Sequence, residues 1–430
     1  MVSREAKIDR LERELHRIRI SPSLRLGSII TDAIRKPWKA PFLLFTLPWN
    51  MFLIGLEMLG KKSPPAALVR VTQDPTLSER NCAIMFPTNG VGFGHFTRML
   101  ALAKYMKKQD PELEVIFFTT MSALHLLKPY EIPAHHISGS PYFEDMTTEE
   151  WNALLEEELS VCIESHRPKQ FIFDGAFPYR GMLRTLKARP HIDKIWMRRG
   201  TFRRGKSIPV DSVEHFDLII HPGDSIPRQP SEIEHDVPSI SCQPITLLES
   251  SELMSRKQAR LRLDVPIDAV VVYVQLGAGE INDIDSEVRL TIESLISREN
   301  VHVVLGESMI GSRFEFDLPR VHILRDYPNS LYFNAFDLTI QAGGYNSFHE
   351  VRRFGIPTLF YPNLLTGMDD QLARCKVAEK EGWGYVLEKR DANSIDLAIS
   401  NLLNKVGERK PLEGNSGAIE VAENLISRIK

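Results

Sequence analysis

Apolar and polar positions follow two alternating patterns after residue 80. Short runs of mostly apolar residues, rich in β-branched and aromatic side chains, are separated by segments whose apolar residues recur at helical spacing. Ten runs predict strands: Cys82–Phe86, Glu114–Thr119, Phe171–Phe173, Lys194–Met197, Phe216–Ile220, Ala269–Leu276, Val301–Leu305, Val321–Leu324, Leu338–Ile340 and Thr358–Phe360. Strands that alternate with helices form parallel, doubly wound sheets. The predicted fold class is therefore α/β.

A chain of 430 residues is too long for one ordinary hydrophobic core and predicts two domains of typical size. We expect a helical, basic and apolar extension at residues 1–75 and Rossmann-like domains at 76–260 and 261–410, facing each other across a cleft. A C-terminal helix at 411–430 would cross back to the first domain.

Composition narrows the class of protein. Hydrophobic residues make up 43% of the chain and charged residues 25%, which is typical of a soluble globular protein. The net charge of −3 gives no general attraction to nucleic acid. The cysteines, Cys82, Cys162, Cys242 and Cys375, are far apart, so their spacing indicates neither a disulfide framework nor a zinc site. Reduced thiols in the cytoplasm are expected.

The chain before Pro64 differs in kind from the rest. Ile8, Leu11, Leu15 and Ile18 form an apolar stripe on a short charged helix. Two heptads are too few for a stable coiled coil alone, so this helix either packs on its own domain or pairs between subunits. Homo-oligomerisation therefore stays open.

A strongly apolar segment, Phe42–Gly60, follows, with basic residues and tryptophans around it. The first forty residues carry ten Lys/Arg and five Asp/Glu, a local charge of 10 − 5 = +5. Pro48 and Glu57 within the segment argue against a membrane-crossing helix. We expect a peripheral membrane contact through residues 1–62, on the cytoplasmic face of the plasma membrane. The alternative is a pair of hydrophobic helices that cover the body of the protein or a dimer interface.

The most informative motif, Gln341–Glu350 (QAGGYNSFHE), lies between a predicted strand and a predicted helix. Its two glycines allow the backbone to approach a ligand, and the free amides of the next helix bind phosphate oxygens. Glu350 falls two helical turns after Gly343 on the same face, where a carboxylate accepts hydrogen bonds from a ribose diol. A nucleotide diphosphate fits this layout; the alternative is an ordinary β–α turn.

A second motif, Gly92–Arg98 (GFGHFTR), fails as a GxGxxG fingerprint because Thr97 replaces the last glycine. A helix N-terminus keeps His95 neutral, so His95 is a candidate general base; the alternative is a histidine that only caps the helix or packs. Asp174 ends a predicted strand. It would either hold His95 in one tautomer and raise its basicity, or cap a helix.

At this point the chain resembles the nucleotide-sugar glycosyltransferases of GT-B architecture. A small-residue turn, a helix carrying Glu350, the strand that begins Gly355-Ile356-Pro357 and an acidic-Gln pair follow in the order seen in that group. The resemblance is strongest to the family 28-like branch that contains the bacterial peptidoglycan N-acetylglucosaminyltransferase, and it covers residues 81–387. The Gly-Gly-Tyr-Asn-Ser turn replaces a Ser-Gly-Ala turn, and the N-terminal extension is added, so the peptidoglycan acceptor is in doubt.

The resemblance implies roles for individual residues. Gly92, Gly94 and Arg98 would form an acceptor loop beside the catalytic residues His95 and Asp174. Glycine turns would bind the diphosphate, a loop with Arg325 would read the base, Glu350 would bind ribose, and Asp370 and Gln371 would hold sugar hydroxyls. The whole expected donor site is Gly277, Gly279, Arg325, Gly343, Gly344, Tyr345, Asn346, Glu350, Asp370 and Gln371.

Asp283 and Asp285 spell a DxD motif, but a three-residue match is common by chance. We expect them to be loop or capping residues, with no metal and no cofactor beyond the UDP-sugar co-substrate. The implied function is an inverting, metal-independent hexosyltransferase. It would use a UDP-sugar, or less favoured a dTDP-sugar, and a lipid-linked or polysaccharide acceptor in cell-surface glycan synthesis. A nucleotide-sugar 2-epimerase and a non-catalytic GT-B subunit of a glycosyltransferase complex remain as alternatives.

Overall fold

The computed structural model describes residues 21–59, 61–62, 78–88, 92–139, 146–199, 212–228, 236–276, 284–307, 318–364 and 369–429. The apolar stripe from Ile8 to Ile18, the glycines Gly277 and Gly279, Asp283 and the side chain of Asp285 lie outside the described residues. The chain divides into two compact units, Met1–Ser78 and Glu79–Lys430.

The first unit contains two helices, α1 (Pro22–Arg35) and α2 (Leu43–Met58), joined by a 3₁₀ turn over Pro37–Phe42. Arg25 on α1 donates to both carboxylate oxygens of Glu57 on α2, with Nη1 2.7 Å from Oε2. This pair neutralises the acidic residue of the apolar helix.

Helix α2 and the turn before it expose their apolar side chains within this unit, among them Trp38, Phe45, Trp49 and Phe52. The helical stretch Pro37–Glu57 is long and apolar enough to cross a membrane, and 6% of it is buried. Pro48 lies inside α2, so it does not interrupt the helix.

The second unit begins with a seven-stranded parallel sheet of order β3-β2-β1-β4-β5-β6-β7. Its strands are β1 (Arg80–Pro87), β2 (Glu114–Thr119), β3 (Ala134–His136), β4 (Pro168–Asp174), β5 (Asp193–Met197), β6 (Leu218–Pro222) and β7 (Ser239–Cys242). The helices of this domain are α3 (Gly94–Gln109), α4 (Thr148–His166) and α5 (Arg180–Lys187). Strands β1, β2 and β4 are buried almost throughout, which explains their continuous apolar sequences.

A six-stranded parallel sheet of order β10-β9-β8-β11-β12-β13 follows the short helix α6 (Arg256–Arg262). Its strands are β8 (Val270–Gln275), β9 (Val301–Gly306), β10 (Val321–Leu324), β11 (Leu338–Gln341), β12 (Thr358–Phe360) and β13 (Gly384–Val386). The helices are α7 (Ile284–Ile296), α8 (Tyr345–Phe354), α9 (Gln371–Lys380) and α10 (Ala392–Leu403). The predicted α/β class with two Rossmann-like parallel sheets is confirmed.

The last helix, α11 (Gly417–Ile429), packs against α3 of the first sheet's domain. Gln170 on β4 donates to the backbone oxygen of Leu425, and Arg428 Nε lies 2.8 Å from Asp193 Oδ2. One hydrophobic cluster runs from α3 through α11 into the second domain. The chain therefore links the two domains at both its middle and its end.

Candidate active site

A cleft of about 350 Å³ opens between the two sheets, within the size range of small-molecule sites. Its walls come from the carboxyl ends of strands, where ligands bind in doubly wound sheets. The first domain contributes Gly92, Phe93, Gly94, His95, Thr97, Arg98 and Arg199. The second domain contributes Gln275, Glu307, Asp326, Tyr327, Pro328, Asn329, Ser330, Phe333, Gln341, Ala342, Gly344, Tyr345, Asn346, Ser347, Glu350, Asp369 and Gln371.

His95 and Asp174 meet at the cleft because β1 and β4 are neighbours, with Pro87 paired to Asp174. His95 Nδ1 lies 2.6 Å from Asp174 Oδ1, a distance that requires a proton between the two atoms. Nδ1–H therefore donates to the carboxylate, and the lone pair of the neutral imidazole is on Nε2. Asp174 is 1% exposed and His95 23%, so the carboxylate is the inner partner.

Arg98, one turn after His95 on α3, completes the group. Its Nε and Nη2 donate to the two oxygens of Asp174 at 3.0 and 2.8 Å, a bidentate pair. Arg98 Nη2 also lies 2.9 Å from His95 Nδ1. Sequence reasoning placed Arg98 in the acceptor loop, and the structure makes it the buried counter-ion of Asp174.

These contacts determine which groups are charged. Burial lowers the pKa of His95, and Arg98 and Arg199 lower it further against the opposing effect of Asp174. Burial alone would raise the pKa of Asp174, but the positive charge of Arg98 and the contact with His95 outweigh it, and the pKa is lowered. The result is an ionised Asp174 next to a neutral His95, the protonation state of a general base. Asp174 was expected to raise the basicity of His95. Burial and the two arginines outweigh its effect, so the pKa of His95 is lowered.

The opposite wall is the N-terminus of α8. Gly344 is the N-cap residue, and no side chain of the described residues caps this helix, so the amides of its first turn have no described side-chain acceptor. A Cβ on Gly344 would meet nothing within 4 Å, whereas a Cβ on Gly343 would lie 2.3 Å from Cys375 Sγ. Gly344 therefore leaves space in the cleft, and Gly343 permits α8 to pack closely on α9.

Glu350, Tyr345 and Asn346 from the same helix all line the cleft. Burial raises the pKa of Glu350 to about 7, and one hydrogen bond from Ser330 Oγ at 3.0 Å partly offsets this. A half-buried carboxyl group with a single described donor has capacity for further hydrogen bonds. The Asn346 side chain reaches across the cleft and donates to the backbone oxygen of Gly94 at 3.4 Å.

Three buried polar atoms of residues that line the cleft have no hydrogen-bond partner among the described residues: Asn329 Oδ1, Gln341 Nε2 and Asn346 Oδ1. Leaving such atoms unpaired costs about 1–3 kcal/mol each. Their concentration at one place indicates a site that a polar ligand completes. Sequence reasoning missed Asn329 and assigned no role to Gln341.

Of the other residues expected at the donor site, some line the cleft and others do not. Gln371 lines the cleft and accepts the backbone N–H of Asn363 through Oε1, which leaves its amide nitrogen for a ligand. Asp370 is outside the described lining and caps α9 through the amide of Ala373. Arg325 is also outside that lining and pairs with Glu307 at 3.2 Å. The loop Asp326–Ser330, next to Arg325, does line the cleft.

A buried charge network that sequence reasoning missed adjoins the cleft, whose lining includes two of its members, Arg199 and Asp369. Arg374 on α9 donates through Nε and Nη2 to both oxygens of Asp224 in the first domain, at 2.9 and 2.8 Å. Both side chains are 0% exposed. Arg374 also pairs with Asp369, which accepts from Arg199 at 3.2 Å. Burial would raise the pKa of Asp224, but Arg374 outweighs it and lowers that pKa strongly.

Tyr345 connects this network to the cleft. Its hydroxyl donates to the backbone oxygen of Gly223 at 2.9 Å and accepts from the amide of Ile245. The guanidinium groups of Arg98 and Arg199 lie 5.1 and 5.3 Å from its ring centre, which is cation–π distance. Arg199 and Asp224 follow β5 and β6, and this position at strand ends is the signal that could have identified them.

No protein-family model and no curated protein sequence matches this chain. Among solved structures, the spinosyn forosaminyltransferase SpnP is similar with a TM-score of 0.57 at 14% identity, over 82% of this chain and 100% of that one. The glycotransferase of kitacinnamycin gives 0.56 at 13% identity over 82% and 100%. MurG of Acinetobacter baumannii gives 0.50 at 13% identity over 81% and 99%. These likenesses show that the chain has the GT-B fold, as predicted from the resemblance.

Proposed function

We propose that this protein is a glycosyltransferase that moves a sugar from a nucleotide diphosphate sugar to a hydroxyl group. One observation carries the proposal: a neutral imidazole held by a buried carboxylate faces an uncapped helix N-terminus across a single cleft. The first group accepts a proton, and the second stabilises a departing diphosphate. The GT-B fold of the solved structures supports the same assignment.

In the proposed reaction, His95 Nε2 removes the proton of the acceptor hydroxyl. The oxygen attacks the anomeric carbon from the face opposite the diphosphate, so configuration inverts. The bond between that carbon and the phosphate oxygen breaks, and its electron pair stays on the diphosphate. The first-turn amides of α8, with Arg199 nearby, stabilise that charge without a metal ion. Asp174 holds the imidazolium that forms.

The donor lies against the second domain in this proposal. Glu350 accepts hydrogen bonds from the ribose, and the loop Asp326–Ser330 contacts the base. The amide nitrogen of Gln371 contacts a sugar hydroxyl. Asp370 is left to its capping role. UDP is the preferred carrier, because Glu350 would bind both hydroxyls of a ribose, and dTDP, whose deoxyribose has only one of them, is the second.

The acceptor is proposed to be lipid-linked or a growing surface polysaccharide at the cytoplasmic face of the plasma membrane. Support comes from the first unit, where Trp38, Phe45, Trp49 and Phe52 are all exposed and basic residues flank them in the sequence. Such a surface binds the boundary of an anionic bilayer. The Arg25–Glu57 pair removes the one acidic charge of α2 that would oppose it.

A thermal-shift panel of nucleotide sugars tests the donor, since ligand binding raises the apparent stability by mass action. We expect UDP-sugars to raise the melting temperature of the wild type, and the rise to shrink in Glu350→Ala. No rise with any nucleotide sugar would contradict the proposal. Product analysis by NMR then tests inversion at the anomeric carbon. Conversion of the donor to an epimer without an acceptor would instead favour the 2-epimerase, and binding without turnover the non-catalytic subunit.

A further inference from the structure

Three potential metal ligands converge on the first domain, in the part of the chain that the structure describes, away from the cleft. They are His135 on the edge strand β3 and Cys162 and His166 on α4. One ligand atom of each lies within 4.8 Å of the others. His166 ends α4 just before β4, and Asp174 ends β4 at the cleft, about 20 Å away at ~3.3 Å per residue. The cluster therefore has no part in the proposed transfer reaction.

The sequence places two of these ligands on one helical face. Cys162 and His166 are four residues apart on α4, and this spacing brings side chains together. Glu158 lies one turn earlier on the same face and acts electrostatically on both His135 and Cys162. The stripe Glu158, Cys162, His166 therefore presents a carboxylate, a thiol and an imidazole towards the edge strand.

The geometry suits a tetrahedral ion. His135 Nε2 and His166 Nε2 are 2.8 Å apart, so one proton is shared between two facing nitrogens. In a zinc site with bonds of about 2.0–2.3 Å, neighbouring ligand atoms are roughly 3.3–3.6 Å apart. A cation thus replaces the shared proton after the rings separate by about half an ångström. His166 Nδ1 is buried and has no hydrogen-bond partner in the described part of the chain, so this ring can also present its other nitrogen.

Burial provides one closed and one open side. Cys162 is 1% exposed and belongs to the hydrophobic cluster under α4, whereas His135 is exposed to solvent. An ion can enter past His135 and be held against the core, as an entry path requires. A thiolate with two imidazoles is a ligand set that favours Zn²⁺ over Mg²⁺ or Ca²⁺.

We propose that His135, Cys162 and His166 bind one Zn²⁺ ion, with Glu158 or a water as the fourth ligand. The ion fastens the edge strand β3 to α4. The thiol of Cys162 loses its proton to solvent when the Zn–S bond forms, and no oxidation state changes. Cysteine spacing alone gave no sign of this site, because the other two ligands are histidines and one comes from a neighbouring strand.

The test uses the full-length, untagged protein loaded with Zn²⁺ or Co²⁺ and dialysed. We expect about one Zn²⁺ per chain, and in the Co²⁺ form a thiolate-to-cobalt charge-transfer band. His135→Ala, a change at an exposed position, should weaken Zn²⁺ binding by at least about tenfold, and Cys162→Ala should abolish the band. Zn²⁺ should also raise the melting temperature of the wild type and leave that of His135→Ala unchanged.

The second domain supplies a matched control. His302 Nδ1 on β9 and His322 Nε2 on β10 lie 3.1 Å apart. This histidine pair does not belong to the cluster that contains Cys162. His322→Ala should leave Zn²⁺ content and the cobalt band as in the wild type. Absence of retained Zn²⁺ in the wild type, absence of the band, or equal loss in His322→Ala and His135→Ala would each overturn the proposal. None of these outcomes depends on turnover, so the transferase proposal is judged separately.

Discussion

Replacement of His95 by alanine separates catalysis from donor binding. The ring donates one described hydrogen bond to Asp174 and also contacts Arg98, both in the first domain, while the proposed donor contacts lie across the cleft. General-base catalysis is worth about 10²–10⁴-fold, or roughly 3–5 kcal/mol of activation free energy. We expect His95→Ala to lose turnover on that scale and to bind UDP within about twofold of the wild type.

The pH dependence of turnover tests the protonation state of His95. The base must be neutral, so turnover falls as the pH drops through the pKa of His95. Burial and the neighbouring arginines hold that pKa below its ordinary value of about 6.5. Wild-type turnover should therefore be level at neutral pH and decline only in acid. Asp174→Asn removes the group that opposes the lowering, so the acid limb should move to still lower pH, with a smaller loss than in His95→Ala.

The assay is turnover with a competent acceptor, alongside calorimetric UDP binding on the same preparations. His125→Ala is the control, because His125 is exposed and outside the described lining of the cleft. Near-normal turnover in His95→Ala would refute the assignment of the base. Loss of both turnover and UDP binding would instead make His95 a diphosphate contact or a structural residue.

Five further predictions address the donor site, metal, membrane and stability. Glu350→Ala should weaken UDP binding by about 1–3 kcal/mol; unchanged affinity in the folded variant removes Glu350 from the site. Because the pKa of Glu350 is about 7, wild-type affinity for a nucleotide sugar should rise about tenfold from about pH 6 to about pH 8, and Glu350→Gln should flatten this rise in calorimetry. Turnover should survive EDTA, since helix amides neutralise the diphosphate. Loss of turnover that is restored only by Mg²⁺ or Mn²⁺ would contradict this. Loss that is restored by Zn²⁺ alone would implicate the edge-strand site. A chain without Met1–Lys62 should lose sedimentation with anionic liposomes, and equal sedimentation would reject the membrane contact. Arg374→Met should lower the free energy of unfolding by about 3–5 kcal/mol in urea titrations, and addition of Asp224→Asn should recover most of it; an unchanged midpoint in the single variant would refute the role of the pair.

The central strands were predictable because burial on both faces leaves an almost continuous apolar sequence. Strands β3, β7 and β13 were missed because they are short edges, and Ser239–Cys242 is largely exposed or half-buried. The meeting of His95 and Asp174, 79 residues apart, follows from the pairing of β1 with β4 once the parallel sheet is recognised. The glycine turn Gly343-Gly344 likewise identified the N-terminus of α8 as one wall of the cleft, because a turn and the helix that follows it are adjacent in the sequence.

Contacts between domains were beyond sequence reasoning. Asp224 and Arg374 are 150 residues apart in different domains, and neither belongs to a motif. Their pairing depends on how the two domains dock, which periodicity and spacing along one chain do not specify. The same holds for Asp370, whose carboxylate could point to a sugar or to the backbone; the local geometry of α9 makes it a cap.

The docking of the two sheets has a consequence for cooperativity. Separation of the domains would leave the charges of Asp224 and Arg374 unpaired and break the hydrogen bond from Tyr345 to Gly223. It would also remove the packing of α11 against α3. Unfolding of either domain alone would lose all of these interactions, so a state with one domain folded and the other unfolded is poorly populated. Residues 79–430 should then melt in one transition, with amide exchange in both sheets limited by the same global event.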